Sequence, residues 1–388
     1  MPTIHKTLSA LALALLLPCA RATPGDVMFA TSDFINPNLL TINPANGGVL
    51  TGVPISNEEA LFGGLTSDGA VLYSIDGYND PNSDRTFRID PTTGAGTVVG
   101  DTGLNWNFRS VEIHPLTGVL YATTDNQLFT LDKATGQAVL VANITGATLD
   151  QATAVAINAA GVAYMTDIGN QGLFRLDLQT GVLTHLGDLN AAAFGWFQDL
   201  AFDSAGTLWG VFLNGGIYTI DIATATETFK YGSGAYGGIA FRCDTAISVY
   251  CTPKAGLACG LPSIRTSGCS SASASSGFAI SAGPARAAKS GILLHSDQGQ
   301  SNLPFQGGIL CVNPPLRRSV GVDSGGTPNV CDGLFTLDMN CFAAGACGGN
   351  PAGFLSSPGT TCQAGCPTGS PKWIFLSFSA SARKMPQR

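Results

Sequence analysis

The feature that most constrains this chain is a repeat that returns every 42 to 47 residues through its first two thirds. Five copies read NLLTINPANGGVLTGV (38–53), RTFRIDPTTGAGTVVG (85–100), NQLFTLDKATGQAVLV (126–141), QGLFRLDLQTGVLTHLG (171–187) and GGIYTIDIATATETFK (215–230). Their anchors are Asn43, Asp90, Asp132, Asp177 and Asp221. An aromatic series, Phe29, Tyr73, Tyr121, Tyr164 and Trp209, runs ahead of the anchors with nearly the same period. Further upstream, four units carry an apolar strand that ends in a turn: GLTSDG, VEIHPLTG, VAINAAG and LAFDSAG. Each unit thus holds four short β-rich segments between Gly, Asn, Asp or Pro turns.

Four strands per unit and a period in the forties predict an all-β fold with a five-bladed β-propeller over residues 23–244. The anchor carboxylate can accept backbone N–H groups inside its own turn, and the Gly after Thr supplies the left-handed residue that sends the next strand back. Ala225 replaces that Gly in the last unit, so its turn is expected to differ. The anchors therefore read as structural rather than as metal ligands, and the aromatics as packing between blades. The first unit lacks its upstream strand, whereas YGGIAFRCD (236–244) resembles one and stands alone after the fifth. Pairing 236–244 beside 27–33 would close the ring without an open sheet edge.

The rest of the chain divides on charge and cysteine. Residues 23–242 carry 21 Asp and Glu against 7 Lys and Arg, whereas 243–388 carry 5 against 10. So acidic a first region repels phosphate backbones and excludes nucleic acid as its partner. Residues 1–22 combine a basic start, an apolar run from Leu8 to Leu17 and an Ala-x-Ala end. They read as a secretory signal peptide, which leaves no transmembrane segment in the mature chain and makes the protein secreted, extracellular or at the cell surface. Beyond Cys19, all ten cysteines follow residue 242: Cys243, Cys251, Cys259, Cys269, Cys311, Cys331, Cys341, Cys347, Cys362 and Cys366. With no Cys-x-x-Cys pair and only His295 nearby, they read as a disulfide framework rather than a zinc site.

The Leu-Tyr-x-Ile-Asp-x-x-Thr-Gly core resembles the repeats of secreted bacterial β-propellers, a likeness that specifies fold far better than function. CTPKAGLACGLPSI, SGFAISA, GILLHSDQG, PFQGGILCVNPPLRR and GLFTLDMN resemble a C-terminal module common on secreted bacterial proteins. Alternation in FAISA and LFTLDMN suits a disulfide-containing β-sandwich-like domain over 245–366. Residues 367–388 depart from that module and are expected to form an atypical, disordered tail.

No Ser-His-Asp or Cys-His arrangement is suggested by the three mature histidines, and no phosphate-cradling loop precedes a helix. The loops before the inner strands would converge at one mouth of a channel. There they would gather Glu58, Glu59, Trp106, Asn107, Arg109, Asp150, Gln151, Trp196, Gln198, Asp199 and Tyr236. Of these, Trp106, Asn107, Arg109, Gln151, Trp196, Gln198, Asp199 and Tyr236 are the candidate ligand-binding residues, because aromatics beside amides and carboxylates suit a glycan or a small polar ligand. Glu112, Asn158 and Asp199 are the candidate metal ligands, with calcium as the ion. DPNSD (80–84) mimics the start of a calcium loop but lacks its Gly and Glu, and reads as a hairpin tip. The function expected is non-catalytic binding of such a ligand or of a surface protein, the C-terminal module serving attachment or secretion. The alternative is a metal-assisted hydrolase or lactonase at the same mouth.

Overall fold

The computed structural model of the protein describes residues 26–32, 37–56, 62–76, 84–104, 108–169, 171–189, 195–213, 215–232, 234, 236–243, 246–250, 253, 257–270, 275–305, 308–351, 355, 361–368 and 372–381. Residues 1–22, expected to be a signal peptide, lie outside them. Nearly all regular structure is β; one short helix, Met339–Ala343, occurs among the described residues.

The repeat builds four-stranded antiparallel sheets, one per unit. Sheet I contains β1 (Asp26–Ser32), β2 (Asn38–Ile42) and β3 (Val49–Pro54). Sheet II contains β4 (Phe62–Ser67), β5 (Leu72–Asp76), β6 (Arg85–Ile89) and β7 (Gly96–Asp101). Sheet III follows with β8 (Ser110–Ile113), β9 (Leu120–Thr123), β10 (Gln127–Leu131) and β11 (Ala138–Asn143). Sheet IV holds β12 (Ala152–Ile157), β13 (Ala163–Asp167), β14 (Gly172–Leu176) and β15 (Leu183–Asp188). Sheet V holds β16 (Phe197–Phe202), β17 (Leu208–Phe212), β18 (Ile217–Asp221) and β19 (Thr226–Tyr231). The missing strand of sheet I is β20 (Tyr236–Cys243), which pairs with β1 from Asp26↔Cys243 to Ser32↔Tyr236. The chain's closing segment and its first described strand thus share one sheet.

The repeating turn acts as anticipated. Asp90 Oδ1 accepts the N–H groups of Thr92 and Thr93 at 2.7 and 2.9 Å. Asp132 holds Ala134 and Thr135, Asp177 holds Gln179 and Thr180, and Asp221 holds Ala223 and Thr224 in the same way. Ala225 corrects one expectation. It takes the left-handed conformation of the glycines it replaces, with φ 49° against 71° at Gly94, so the last turn is not remodelled. Its side chain is buried within an apolar cluster that includes Leu173, Phe212 and Ile220, and this packing offsets the strain.

These turns also dock sheet on sheet. A Cβ on Gly94 would lie 2.5 Å from the carbonyl oxygen of Pro54, one on Gly136 2.5 Å from that of Gly100, and one on Gly181 2.4 Å from that of Asn143. Ala225 sits against Gly187, and Gly47 against the Tyr231 ring. Turns of sheets II, III, IV, V and I therefore each abut the outer strand of the preceding sheet, and the last of these contacts joins sheet I to sheet V. The innermost strands follow the same cycle, β20 packing on β4, β4 on β8, β8 on β12, β12 on β16 and β16 on β20. Side chains bridge them: Thr66 Oγ1 accepts the Ile113 N–H at 3.1 Å, and Ser110 Oγ the Val155 N–H at 3.0 Å. The aromatic series lies on the second strands, and each member faces an inner-strand residue across the ladder: Tyr73↔Thr66, Tyr121↔Glu112, Tyr164↔Ala156, Trp209↔Ala201 and Phe29↔Ala240.

In the cysteine-bearing region, β21 (Ala246–Tyr250) and β22 (Ser263–Gly268) belong to separate sheets. The strand 372–381 pairs β21 with 361–368, and 361–368 pairs in turn with Ser290–Ser296. Residues 372–381, within the segment expected to be a disordered tail, are thus built into this sheet. The other sheet orders β22, Phe278–Ala285 and Gly333–Asp338. An apolar cluster of Ile264, Phe278, Ile280, Leu293, Phe335, Leu337 and Phe342 joins strands of both. Disulfides link Cys243 to Cys269, Cys259 to Cys331 and Cys341 to Cys347, and Cys311 is disulfide-bonded as well. Cys251 and the side chains of Cys362 and Cys366 lie outside the described residues. These disulfides fit an extracellular protein. No helix among the described residues is long and apolar enough to cross a membrane.

Candidate functional site

The inner-strand starts carry the candidate mouth residues, and the polar groups there are largely engaged with one another. Arg109 Nε donates to Asp125 Oδ1 at 2.9 Å and its terminal nitrogen to Gln151 Oε1 at 3.2 Å. Trp196 Nε1 donates to Gln198 Oε1 at 2.8 Å. Tyr236, 8% exposed, is packed into a cluster with Met28, Trp209 and Ile239. Glu58, Glu59, Trp106 and Asn107 lie outside the described residues, as do Asp80 and Asn82 of the hairpin tip.

Asp199 sits inside the ring rather than on a loop before it. Strand β16 begins two residues earlier, at Phe197, and this draws the carboxyl into the interior, fully buried. Oδ2 accepts the N–H groups of Leu65 at 2.8 Å and Ile239 at 2.9 Å, so one carboxylate ties β16 to β4 and β20. Oδ1 has no hydrogen-bond partner. Burial holds the Asp199 carboxyl well above the usual carboxylate range, against the opposing pull of its amide donors.

Glu112 lies toward the other end of the inner strands. The neighbouring Thr66 hydroxyl and Ile157 N–H favour its ionised form. Burial, reinforced by the charge of Asp199, holds it well above its ordinary range too. Asn158 does not join them, since its Oδ1 caps its own hairpin by accepting the Ala160 and Val162 N–H groups at 3.0 and 2.9 Å. Glu112 and the second oxygen of Asp199 are what remain of the candidate metal set. Two carboxylates fall well short of the six to eight oxygens that calcium takes. These residues do not fit a calcium centre, and no step is drawn through one. Asp26, Cys243 and Cys269 also converge, but both sulfurs are spent in the disulfide that joins them.

The sequence reading missed the cavity at the end where the inner strands finish. An open cleft of about 580 Å³ lies there between the ring and β22. Glu112, Thr66, Ile157, Ala201 and Ala240 line it from the inner strands, and Asp68, His114 and Asp203 from the turns that follow. Asp26, Phe241 and Arg242 line it from sheet I, and Ile264, Arg265 and Ser267 form its roof. Arg265 reaches across to Asp68 at 3.9 Å, and Lys133 holds the same carboxylate at 2.8 Å. The Cys243–Cys269 disulfide fastens the end of β20 to the residue just after β22. His114 accepts the Leu116 and Thr117 N–H groups through Nδ1, and burial pushes its pKa down, so it lines the cavity as a neutral ring. A signal in the sequence did exist, for Arg265 is the sole basic residue between Lys254 and Arg286.

No protein-family model matches this chain. No curated protein matches it either. Among solved structures, it is similar to a chain of the nidogen/laminin complex at 16% identity and a TM-score of 0.36, over 56% of this chain and 100% of that one. It is similar to streptogramin B lyase at 14% identity and a TM-score of 0.32, over 44% of this chain and 54% of that one. A protein of unknown function from Bacteroides caccae matches at 10% identity and a TM-score of 0.34, over 56% of this chain and 99% of that one.

Proposed function

We propose that this chain is an exported, non-catalytic binding protein. In this reading its five four-stranded sheets are the blades of a five-bladed propeller, and its cysteine-bearing region is a sandwich-like module for attachment or secretion. The ligand is a small molecule held between the two, in the cavity roofed by β22. The observation that carries this reading is the cavity itself. Its volume of about 580 Å³ suits a small ligand, and a few polar groups converge in it among apolar walls. The mouth at the opposite end is the weaker candidate, because Arg109, Gln151, Trp196 and Gln198 already satisfy one another or Asp125. The hydrolase alternative needs Glu112, Asn158 and Asp199 on one ion, and Asn158 is committed to its turn.

Thermal-shift screening of the mature protein against small polar compounds, beside an Ala159→Trp variant, tests this reading. Ala159 is exposed and lines the cavity, so the indole can occupy it without disturbing the ring. Ligands that stabilise the wild type and lose their effect in the variant support the cavity. Equal stabilisation of both proteins refutes it.

A further inference from the structure

Beyond that reading, we infer that the cysteine-bearing region is a lid on the ring. It pivots at the Cys243–Cys269 disulfide and is latched across the cleft by Arg265. The distribution of apolar packing points this way. The cluster around Ile264, Phe335 and Phe342 contains no residue of the ring, and the clusters of the ring contain none from beyond β20. Among the described residues, no apolar cluster joins the two. Bodies that share no apolar core move relative to each other by default.

The contacts that do hold them lie at two separate corners. At one, the main chain leaves β20 at Cys243, and the disulfide binds that residue to Cys269, just after β22. Asp26 lies there too, 3.1 Å from the Cys269 sulfur, and accepts the Ser204 N–H and hydroxyl. Gly277 packs at the same corner, since a Cβ on it would stand 3.2 Å from the Ser204 carbonyl oxygen. At the other corner, Arg265 of β22 reaches the β4–β5 and β8–β9 turns. Its guanidinium lies over Gly118, where any Cβ would collide with it, and stands 3.9 Å from Asp68. The first corner is covalent and the second is not, which makes the first the pivot.

The latch is built to release. Arg265 and Asp68 are both partly exposed, and an ion pair so placed holds weakly and is screened by salt. Asp68 keeps Lys133 at 2.8 Å when Arg265 departs, and Arg265 passes into water, so opening strands neither charge. Between the corners lies the cleft of about 580 Å³ rather than packed side chains, so opening there forfeits no packing.

Single-molecule energy transfer on the full chain, between dyes on unnatural residues at Thr117 and Leu261, tests the lid. Both positions are exposed, Thr117 on the β8–β9 turn and Leu261 just ahead of β22. The expected result is two populations, the low-transfer fraction rising about threefold between about 0.1 M and about 1 M salt. Arg265→Gln should raise that fraction by a similar factor at low salt and abolish its salt dependence, and Arg265→Lys should restore part of both. Asp68→Asn serves as an independent second variant with the same expectation as Arg265→Gln. A single population, or a low-transfer fraction indifferent to salt or to Arg265→Gln, would overturn the lid. Neither result depends on what the cleft binds.

Discussion

Asp199 shows how a single residue here can be read two ways. An Asp near a propeller mouth suggests chemistry, but its Oδ2 satisfies two backbone N–H groups that have no ladder partner on the inward edge. Asp199→Ala leaves both buried donors unpaired, at about 1–3 kcal/mol each, whereas Asp199→Asn retains an acceptor and loses much less. Urea denaturation of the two variants checks the order. The sign of the pH dependence follows from the direction of the shifts. Asp199 and Glu112 both have folded pKa values raised above ordinary carboxylate values. Their contribution is full below the unfolded pKa of about 4 and is lost as pH rises through the raised values. Urea midpoints of the wild type should therefore decline toward neutral pH, and Asp199→Asn should flatten that decline. The turn carboxylates behave oppositely. Backbone donors hold Asp90, Asp132 and Asp177 below the usual range, so their contribution is present above about pH 4 and lost as pH falls through the folded values. Replacing all three by Asn keeps the turn bond without the charge, and should shrink the fall in melting temperature between pH 4 and 2.5.

At the scale of elements, the hairpin turn is both a local motif and a joint between sheets. Its local half was legible, because Asp90, Asp132, Asp177 and Asp221 bond N–H groups two and three residues ahead, and such spacing is visible in any one copy. Its docking half was not, since the partner is the outer strand of a sheet some forty residues earlier. Gly100 displays that hidden half. A Cβ there would stand 1.9 Å from the Thr135 carbonyl oxygen, with backbone on both sides. Gly100→Ala should destabilise by about 3 kcal/mol through overpacking, read as a lower urea midpoint. The Cys243–Cys269 disulfide is the other joint, and closes a 26-residue separation. Replacing both cysteines by Ser should cost about 3–4 kcal/mol on loop-entropy grounds. It should also loosen β22, read as faster hydrogen exchange over 263–268.

On the scale of the whole molecule, periodicity made the ring legible and made the site hard to see. Five similar units with one strand missing at the start and one spare at the end specify how the chain closes. The same similarity drew attention to loops that converge at the inner-strand starts, whereas the cleft lies at the other end. That space draws on Asp26, Glu112 and Arg265 beside the repeat-related turn residues Asp68, His114 and Asp203, and Arg265 lies beyond the repeat. The placement of Asp199 failed for a smaller reason: FGWFQD reads as a loop, yet Phe197 already belongs to the strand. Charge ties the two regions together, since the acidic ring meets the basic remainder through Arg265 and Asp68.

Hydrogen exchange on the protein, followed by mass spectrometry at peptide resolution, tests the closure most directly. If β20 completes the sheet begun by β1, peptides covering 26–32 and 236–243 will be protected together, and a chain ending at residue 235 will lose protection over 26–32. Rapid exchange of 236–243 beside a protected 26–32, or protection of 26–32 that survives the truncation, would contradict the ring and the cavity built on it.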